Sequence, residues 1–336
     1  MDTSHLHVFP EIIIEFDKNR ISLSIHIVQS RYNRYSVIHF FYSLVMNMSY
    51  ISKQESALII EGGAMRSVFS AGLLDGFLKN KFNPFQFYIG VSAGAYNLVS
   101  YLSGQIGLSM HIYNEVANNA QFINYMRFLR GGHLLDLDWL ADKIASEHPP
   151  DSVMTCRQGK PFYICATDVS SGQAVYINIR PELFKQTIKA TSALPLIYRG
   201  FTKINGIPMT DGGVADGIPV AEAIRLGAKR IMVVRSRPKC YVKKDTLWHK
   251  YIRWKLKHYP ALAQTMRERV KRFDDALQII QRPPDGIKIL EICPPEEFTL
   301  GRFSRGTEKL KFGYKAGFKL SASAIADWRE LDNGEY

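Results

Sequence analysis

Twice in close succession the chain runs from a short apolar stretch, through glycine or serine, into a helical pattern. This repeat narrows the folds open to it more than any other feature. The first unit is "ALIIE" at residues 57–61, then Gly62 and Gly63, then Val68, Ala71, Leu74 and Leu78 at helical spacing within "MRSVFSAGLLDGFLKN". The second is "FQFYIGV" at 85–91, then Ser92, then the helical "AGAYNLVSYL". Adjacent parallel strands cannot be closed by a two-residue hairpin, so strands that each feed a crossover helix predict an α/β layered domain.

The pattern continues downstream. "PFYICATDV" and "GQAVYIN" read as two strands joined by the turn "SSG", and "PELFKQTIKATSA" as a helix opening at Pro181 and ending before Pro195. "PVAEAIRLGA" is a short helix whose Gly227 suits a C-terminal cap, and "RIMVVRS" is the strand after it. That completes an α/β core over residues 55–235. Residues 236–336 read as a basic, largely helical C-terminal extension packed on this core, interrupted by "RPPDG" and by one more strand, "IKILEIC". Residues 1–50 stand apart as an N-terminal extension. There Arg20, Arg31 and Arg34 precede "SVIHFFYSLVM", an apolar run of 11 residues, too short for the roughly 18 to 20 that cross a bilayer and too far from the terminus for a secretory signal. An added leader, with Met46 or Met48 as the natural start, is the favoured reading over extra β structure or a membrane anchor.

With 336 residues, 46% of them hydrophobic, the chain can fill a substantial core. Its net charge of +12 calls for an anionic partner: nucleic acid, an anionic membrane surface or an acidic ligand. The excess is regional, with fourteen Lys and Arg against four Asp and Glu between Arg235 and Arg282. Cys156, Cys165, Cys240 and Cys293 lie far apart with no C-x-x-C spacing, which indicates neither a zinc site nor a disulfide framework and fits a reducing cytoplasm.

Three short motifs carry the chemistry. Gly90, Val91, Ser92, Ala93 and Gly94 form G-x-S-x-G with a strand before and a helix after, the context in which serine becomes a nucleophile on a tight turn. "EGGAMRS" at 61–67 also sits at a strand-to-helix junction; successive glycines can turn their N–H groups into one anion-binding nest, and Arg66 adds a positive charge at its edge. A nucleotide phosphate loop would need a following Lys-Ser or Lys-Thr, which is missing, as is G-x-G-x-x-G. In "MTDGGVADGIPV" at 209–220, Asp211 precedes Gly212 and Gly213; a buried carboxylate within reach of a serine can orient it and take its proton. Asp216 with Gly217 repeats the theme, and either could be an ordinary turn.

Together these motifs, in this order, resemble the patatin-like phospholipase family, and the resemblance extends through "ATSALP" at 190–195. It covers about residues 57–235. It implies a three-layer α/β/α sandwich with a mainly parallel central sheet. It also implies a serine hydrolase that cleaves acyl esters of lipids, of phospholipase A or lysophospholipase type, without metal or cofactor. By the resemblance Ser92 is the nucleophile, Asp211 its sole base, and Gly62, Gly63 and Ala64 the oxyanion donors. Two departures stand out: Ala64 occupies the place of a third family glycine, and Ser67 that of another. If the backbone at Ala64 needs positive φ, its β-carbon costs about 1 kcal/mol. A lipid-binding pseudo-hydrolase that keeps the fold is the alternative.

Histidine usage bears on the dyad independently. A Ser–acid–His triad of the α/β-hydrolase order needs its base after Asp211, where only His249 and His258 occur, both within "LWHKYIRWKLKHYP". That segment sets Trp248, Ile252, Leu256 and Tyr259 on one helical face and Lys250, Arg253, Lys255 and Lys257 around it, so both histidines read as bystanders on an amphipathic surface helix. Residues 246–259 either meet an anionic membrane peripherally or form a solvated basic face packed on the core. No nucleic-acid module accompanies the charge, so nucleic acid is not expected. The expected location is the cytoplasm, with peripheral contact at the inner membrane if this helix meets lipid.

Overall fold

In a computed structural model that describes residues 13–17, 20–24, 55–156 and 158–333, the two units sensed in the repeat form the centre of one sheet. Strand β3 (Ser56–Ile60) is buried along its whole length, and its residues alternate between two cores: Leu58 and Ile60 join one, Ala57 and Ile59 the other. Strands β4 (Phe87–Val91) and β9 (Arg230–Val234) divide in the same way, Tyr88, Met232 and Val234 to one side and Phe87, Ile89, Ile231 and Val233 to the other. A strand apolar on both faces must be covered on both, which makes a three-layer α/β/α sandwich.

The other strands are β5 (Phe162–Asp168), β6 (Ala174–Asn178), β7 (Thr202–Ile204), β8 (Ile207–Asp211) and β10 (Lys288–Ile292). The sheet order is β10-β9-β3-β4-β5-β8-β7, with β6 also paired to β5. The five strands from β10 to β5 run parallel, while β5–β8, β8–β7 and β5–β6 are antiparallel. The chain after Ser236 therefore enters the sheet as its edge strand β10. It also supplies helices to both faces: Pro260–Gln281 lends Phe273, Ala276 and Ile280 to one core, and Thr307–Asn333 lends Leu310, Ile325 and Trp328 to the other. Far upstream in sequence, β1 (Ile13–Asp17) and β2 (Arg20–Ser24) form an antiparallel hairpin, described by itself. The apolar run at 36–46, with Met46 and Met48, lies outside the described residues.

Candidate active site

Ser92 is the residue at which β4 stops and the helix Ala93–Leu102 begins, and its backbone is held at φ +51°, ψ −128°. A non-glycine residue there stores about 1 to 3 kcal/mol of strain and persists only where its surroundings enforce it. They do. A β-carbon at Gly90 would lie 2.5 Å from Ala95 Cα, and one at Gly94 2.4 Å from the Ile60 carbonyl, so both glycines of the motif are required by close approach. The Ser92 N–H donates to Thr191 Oγ1 at 2.8 Å, and the Thr191 hydroxyl donates to the Cys165 carbonyl at 2.6 Å.

The glycine loop lies against this turn: a β-carbon at Gly62 would come within 2.7 Å of the Val91 carbonyl and 2.9 Å of Ser92 Cβ. Ala64 sits at φ +52°, the strained conformation expected if alanine replaces a third glycine. The N–H groups of Gly62, Gly63 and Ala64 take no acceptor among the described residues, whereas those of Met65 and Arg66 donate to the carbonyls of Arg302 and Gly63. Ser236 pins the loop from behind, its N–H donating to Glu61 Oε2 at 2.7 Å and its hydroxyl to the Gly62 carbonyl at 3.1 Å. Behind Glu61 lies the buried Arg235, with Nε 3.4 Å from Glu61 and Nη1 bonded to Glu291.

Asp211 ends β8, opposite Ala166 of β5, and is 3% exposed. Its Oδ1 accepts the Gly213 N–H at 2.8 Å, and a β-carbon at Gly212 would strike the Cys165 carbonyl at 2.2 Å. Burial raises the Asp211 pKa above the ordinary value, offset in part by the Gly213 N–H and by the nearby Ser92 hydroxyl. Ser92 Oγ also stands 3.3 Å from Ser192 Oγ, a long contact that leaves it free to reorient. Ser92, Asp211, Gly62, Gly63, Ala64 and Arg66 all line one cavity of about 390 Å³. The second aspartate of the motif is different: Asp216 accepts from Tyr176 at 2.6 Å and from the Ile218 N–H at 3.1 Å, fastening a turn.

Several groups on this cavity gave no local sequence signal. Arg66, which the sequence does place at the edge of the loop, is 3% exposed, with Nε and Nη1 unpartnered among the described residues. Burial first, then Arg302 and Arg237, lower its pKa to about 9. Arg237, Lys243, Arg269 and Arg302 share the wall. So does His249, which helical spacing alone assigns to a surface. Arg269 donates to its Nε2 at 2.7 Å, Thr246 Oγ1 lies 3.0 Å from its Nδ1, and burial with the Arg269 charge lowers its pKa to about 4. An imidazole whose Nε2 lone pair is taken by a guanidinium has none to offer Ser92. From Ser92 a second, apolar cavity of about 90 Å³ leads away between Tyr113, Val116, Phe122 and Leu140. The nearest thing to a metal-ligand cluster among the described residues, His111 with Glu115 and Glu147, is already bridged by Lys143 Nζ at 2.7 and 2.6 Å from the two carboxylates.

The amphipathic segment forms a helix over Leu247–Lys255, with Ile252 and Leu256 buried against the core. Tyr259, placed by spacing on that inner face, is half exposed, while Leu247 and Trp254 stand 81% and 61% exposed. Arg253 is held by both carboxylate oxygens of Asp245 at 2.9 Å, so the free positive charge on this face is that of the lysines. Among the described residues no helix is long and apolar enough to cross a membrane.

Comparison with known proteins adds three findings. Residues 58–224 match the family described as patatin-like phospholipase, and residues 259–333 match a domain family of unknown function, DUF6363. The uncharacterized protein YjjU of Escherichia coli (strain K12) is 34% identical over 265 residues, 78% of this chain and 74% of that protein. Among solved structures, VipD from Legionella pneumophila aligns with 82% of this chain and 67% of its own, at 10% identity and a TM-score of 0.38.

Proposed function

Since the chain belongs to the patatin-like phospholipase family, a family of lipid acyl hydrolases, we propose that it cleaves acyl esters through a Ser92–Asp211 dyad. The observation that carries this reading is the meeting on one cavity of a strained serine, a buried carboxylate and three residues whose amides are unpartnered among the described residues. Ser92 Oγ attacks the acyl carbonyl while Asp211 takes its proton, and the carbonyl oxygen, now an anion, is held by the amides of Gly62, Gly63 and Ala64. Asp211 returns the proton to the departing alcohol, leaving an acyl-serine. Water, deprotonated by Asp211, then attacks that ester; a fatty acid leaves and Ser92 regains its hydrogen. The reading invokes no third group: burial raises Asp211 above the ordinary carboxylate range and so makes it a stronger base.

The substrates are lipids of phospholipid or lysophospholipid type, with one acyl chain in the apolar cavity. We assign the protein to the cytoplasm, touching anionic membrane through residues 246–259, where Leu247 and Trp254 project beside Lys250, Lys255 and Lys257. The catalytic domain is taken as residues 55–235, with 236–336 as its extension. Hydrolysis of a panel of acyl glycerol esters by the intact chain and by Ser92→Ala tests the activity: turnover by the first and none by the second supports it, and no turnover by either favours a binding protein that keeps the fold.

A further inference from the structure

Ser92 stands where two cavities of opposite character meet. The smaller is lined by apolar side chains, among them Tyr113, Val116, Phe122 and Leu140. The larger carries Arg66, Arg237, Lys243, Arg269 and Arg302, and none of these five makes an ion pair among the described residues. Of the carboxylates on the same wall, Glu61 is committed to Arg235 and the Ser236 N–H, and Asp211 belongs to the dyad. Arg66 is the sharpest sign: a residue of the chamber wall only 3% exposed, with Nε and Nη1 of its guanidinium unpartnered among the described residues. Buried cations without anions are costly, and the chamber would lower that cost by admitting one.

We infer that the substrate is an acyl ester of a phosphate-bearing alcohol, with its phosphate monoester in the basic chamber and its acyl chain in the apolar cavity. This rests on the hydrolase reading above. Crowding of like charge shows at two of these groups besides Arg66: Arg269 is lowered to about 10 and Lys243 well below its usual range, in both cases by burial first and then by neighbouring cations. The same wall discriminates against head groups that end in a quaternary ammonium. Such a group needs a carboxylate or a bare aromatic face. Here Arg237 already covers Tyr241 at 4.3 Å, and Lys243 and Arg235 cover Phe273 at 4.5 and 5.2 Å. A phosphate monoester is met by five cationic side chains; a phosphocholine would bring a sixth positive charge among them.

The test uses octanoyl esters as monomers in solution, so that recruitment to a charged surface does not enter. The kcat/KM for octanoyl glycerol 3-phosphate is compared with those for octanoyl glycerophosphocholine and monooctanoylglycerol, in the wild type, Arg237→Gln and Lys243→Gln, each checked for an unchanged melting temperature. In parallel, glycerol 3-phosphate, glycerol and inorganic phosphate are titrated into Ser92→Ala by calorimetry. The expected result is a preference of about tenfold or more for the phosphate ester, about 1.4 kcal/mol, that falls several-fold in each variant. Glycerol 3-phosphate should bind Ser92→Ala and glycerol should not. Equal rates on the three esters, or a preference untouched in both variants, would overturn the inference while leaving the hydrolase standing. Inorganic phosphate binding as tightly as glycerol 3-phosphate, with no ester preference, would make the chamber a free-anion site and overturn it as well. Binding of glycerol 3-phosphate with no ester hydrolysed would sink the hydrolase and leave a phosphate-binding chamber.

Discussion

Thr191 Oγ1 accepts the amide hydrogen of Ser92 at 2.8 Å and hands its own hydroxyl hydrogen to the Cys165 carbonyl. One side chain from the segment after the helix Phe184–Ala190 thus ties the strained backbone of Ser92 to strand β5. It also occupies the Ser92 N–H, which the proposed oxyanion loop therefore does without. Thr191→Val keeps the shape and deletes both bonds inside the protein. It should lower stability by about 2 kcal/mol, the cost of leaving a buried donor and acceptor unmet, and lower kcat more than it raises KM. Urea unfolding and steady-state kinetics check the two halves.

The histidine on the cavity wall separates a dyad from a triad. Arg269 Nη1 lies 2.7 Å from His249 Nε2 and His258 sits on an exposed stretch, so the proposed dyad assigns the base role to neither. His249→Ala with His258→Ala should keep the bulk of ester hydrolysis, whereas losing a general base removes about 10² to 10⁴ in rate. A fall of that size in a folded double variant would mean that histidine takes the serine proton.

The glycine loop makes two expectations of opposite sign. Gly62→Ala forces a β-carbon to 2.7 Å from the Val91 carbonyl, so the loop must shift away from Ser92. It should cost about 1 to 3 kcal/mol of stability and most of the activity. Ala64→Gly frees a residue held at φ +52°, relieving about 1 kcal/mol of strain against the greater entropy of an unfolded glycine. Its hydrolysis rate should rise with stability nearly unchanged. Parallel melting curves and rates on one substrate decide both.

The exposed face beside the cavity can be tested by lipid binding alone. Lys250, Lys255 and Lys257 are all exposed on or just after the helix Leu247–Lys255, and Lys255 Nζ lies 4.9 Å from the Trp254 ring. At about 1 kcal/mol per lysine, replacing all three with glutamine should weaken partitioning to anionic vesicles about a hundredfold, with neutral vesicles unaffected. Sedimentation with the two vesicle types measures it; unchanged binding to the anionic ones would remove this face from the account.

What the sequence discloses here is whatever the local backbone demands. Gly90, Gly94 and Gly212 are legible because a β-carbon at any of them collides with a neighbouring strand, helix or carbonyl, so only one residue type serves. The apolar run at 57–60 is legible because a strand covered on both faces is apolar throughout. The basic chamber is legible only at Arg66, which the glycine loop places at its edge; Arg237, Arg269 and Arg302 come from three further segments and look, one by one, like surface charge. The C-terminal helix hides for another reason. Read as charge, it is a basic extension; yet Gly72 faces Tyr314 so closely that a β-carbon would lie 2.0 Å from its carbonyl, and one on Gly317 would lie 1.9 Å from that of Phe69. Two helices separated by most of the chain approach backbone to backbone, and only their glycines record it.

Hydrolysis by the proposed dyad turns on Asp211 taking the proton of Ser92. Its most direct test is the rate of covalent labelling by a fluorophosphonate, followed by intact mass against pH for the wild type, Ser92→Ala and Asp211→Asn. Because burial raises the folded pKa of Asp211, the protonated form stabilises the fold and is lost as pH rises through that raised value, which is where the base becomes active. The wild type should therefore gain one adduct at a rate that climbs with pH through a midpoint above the ordinary aspartate range. Ser92→Ala should gain none, and Asp211→Asn, folded and at least as stable at neutral pH, should label about a hundredfold more slowly without that midpoint. Labelling of Asp211→Asn at the wild-type rate would contradict the dyad.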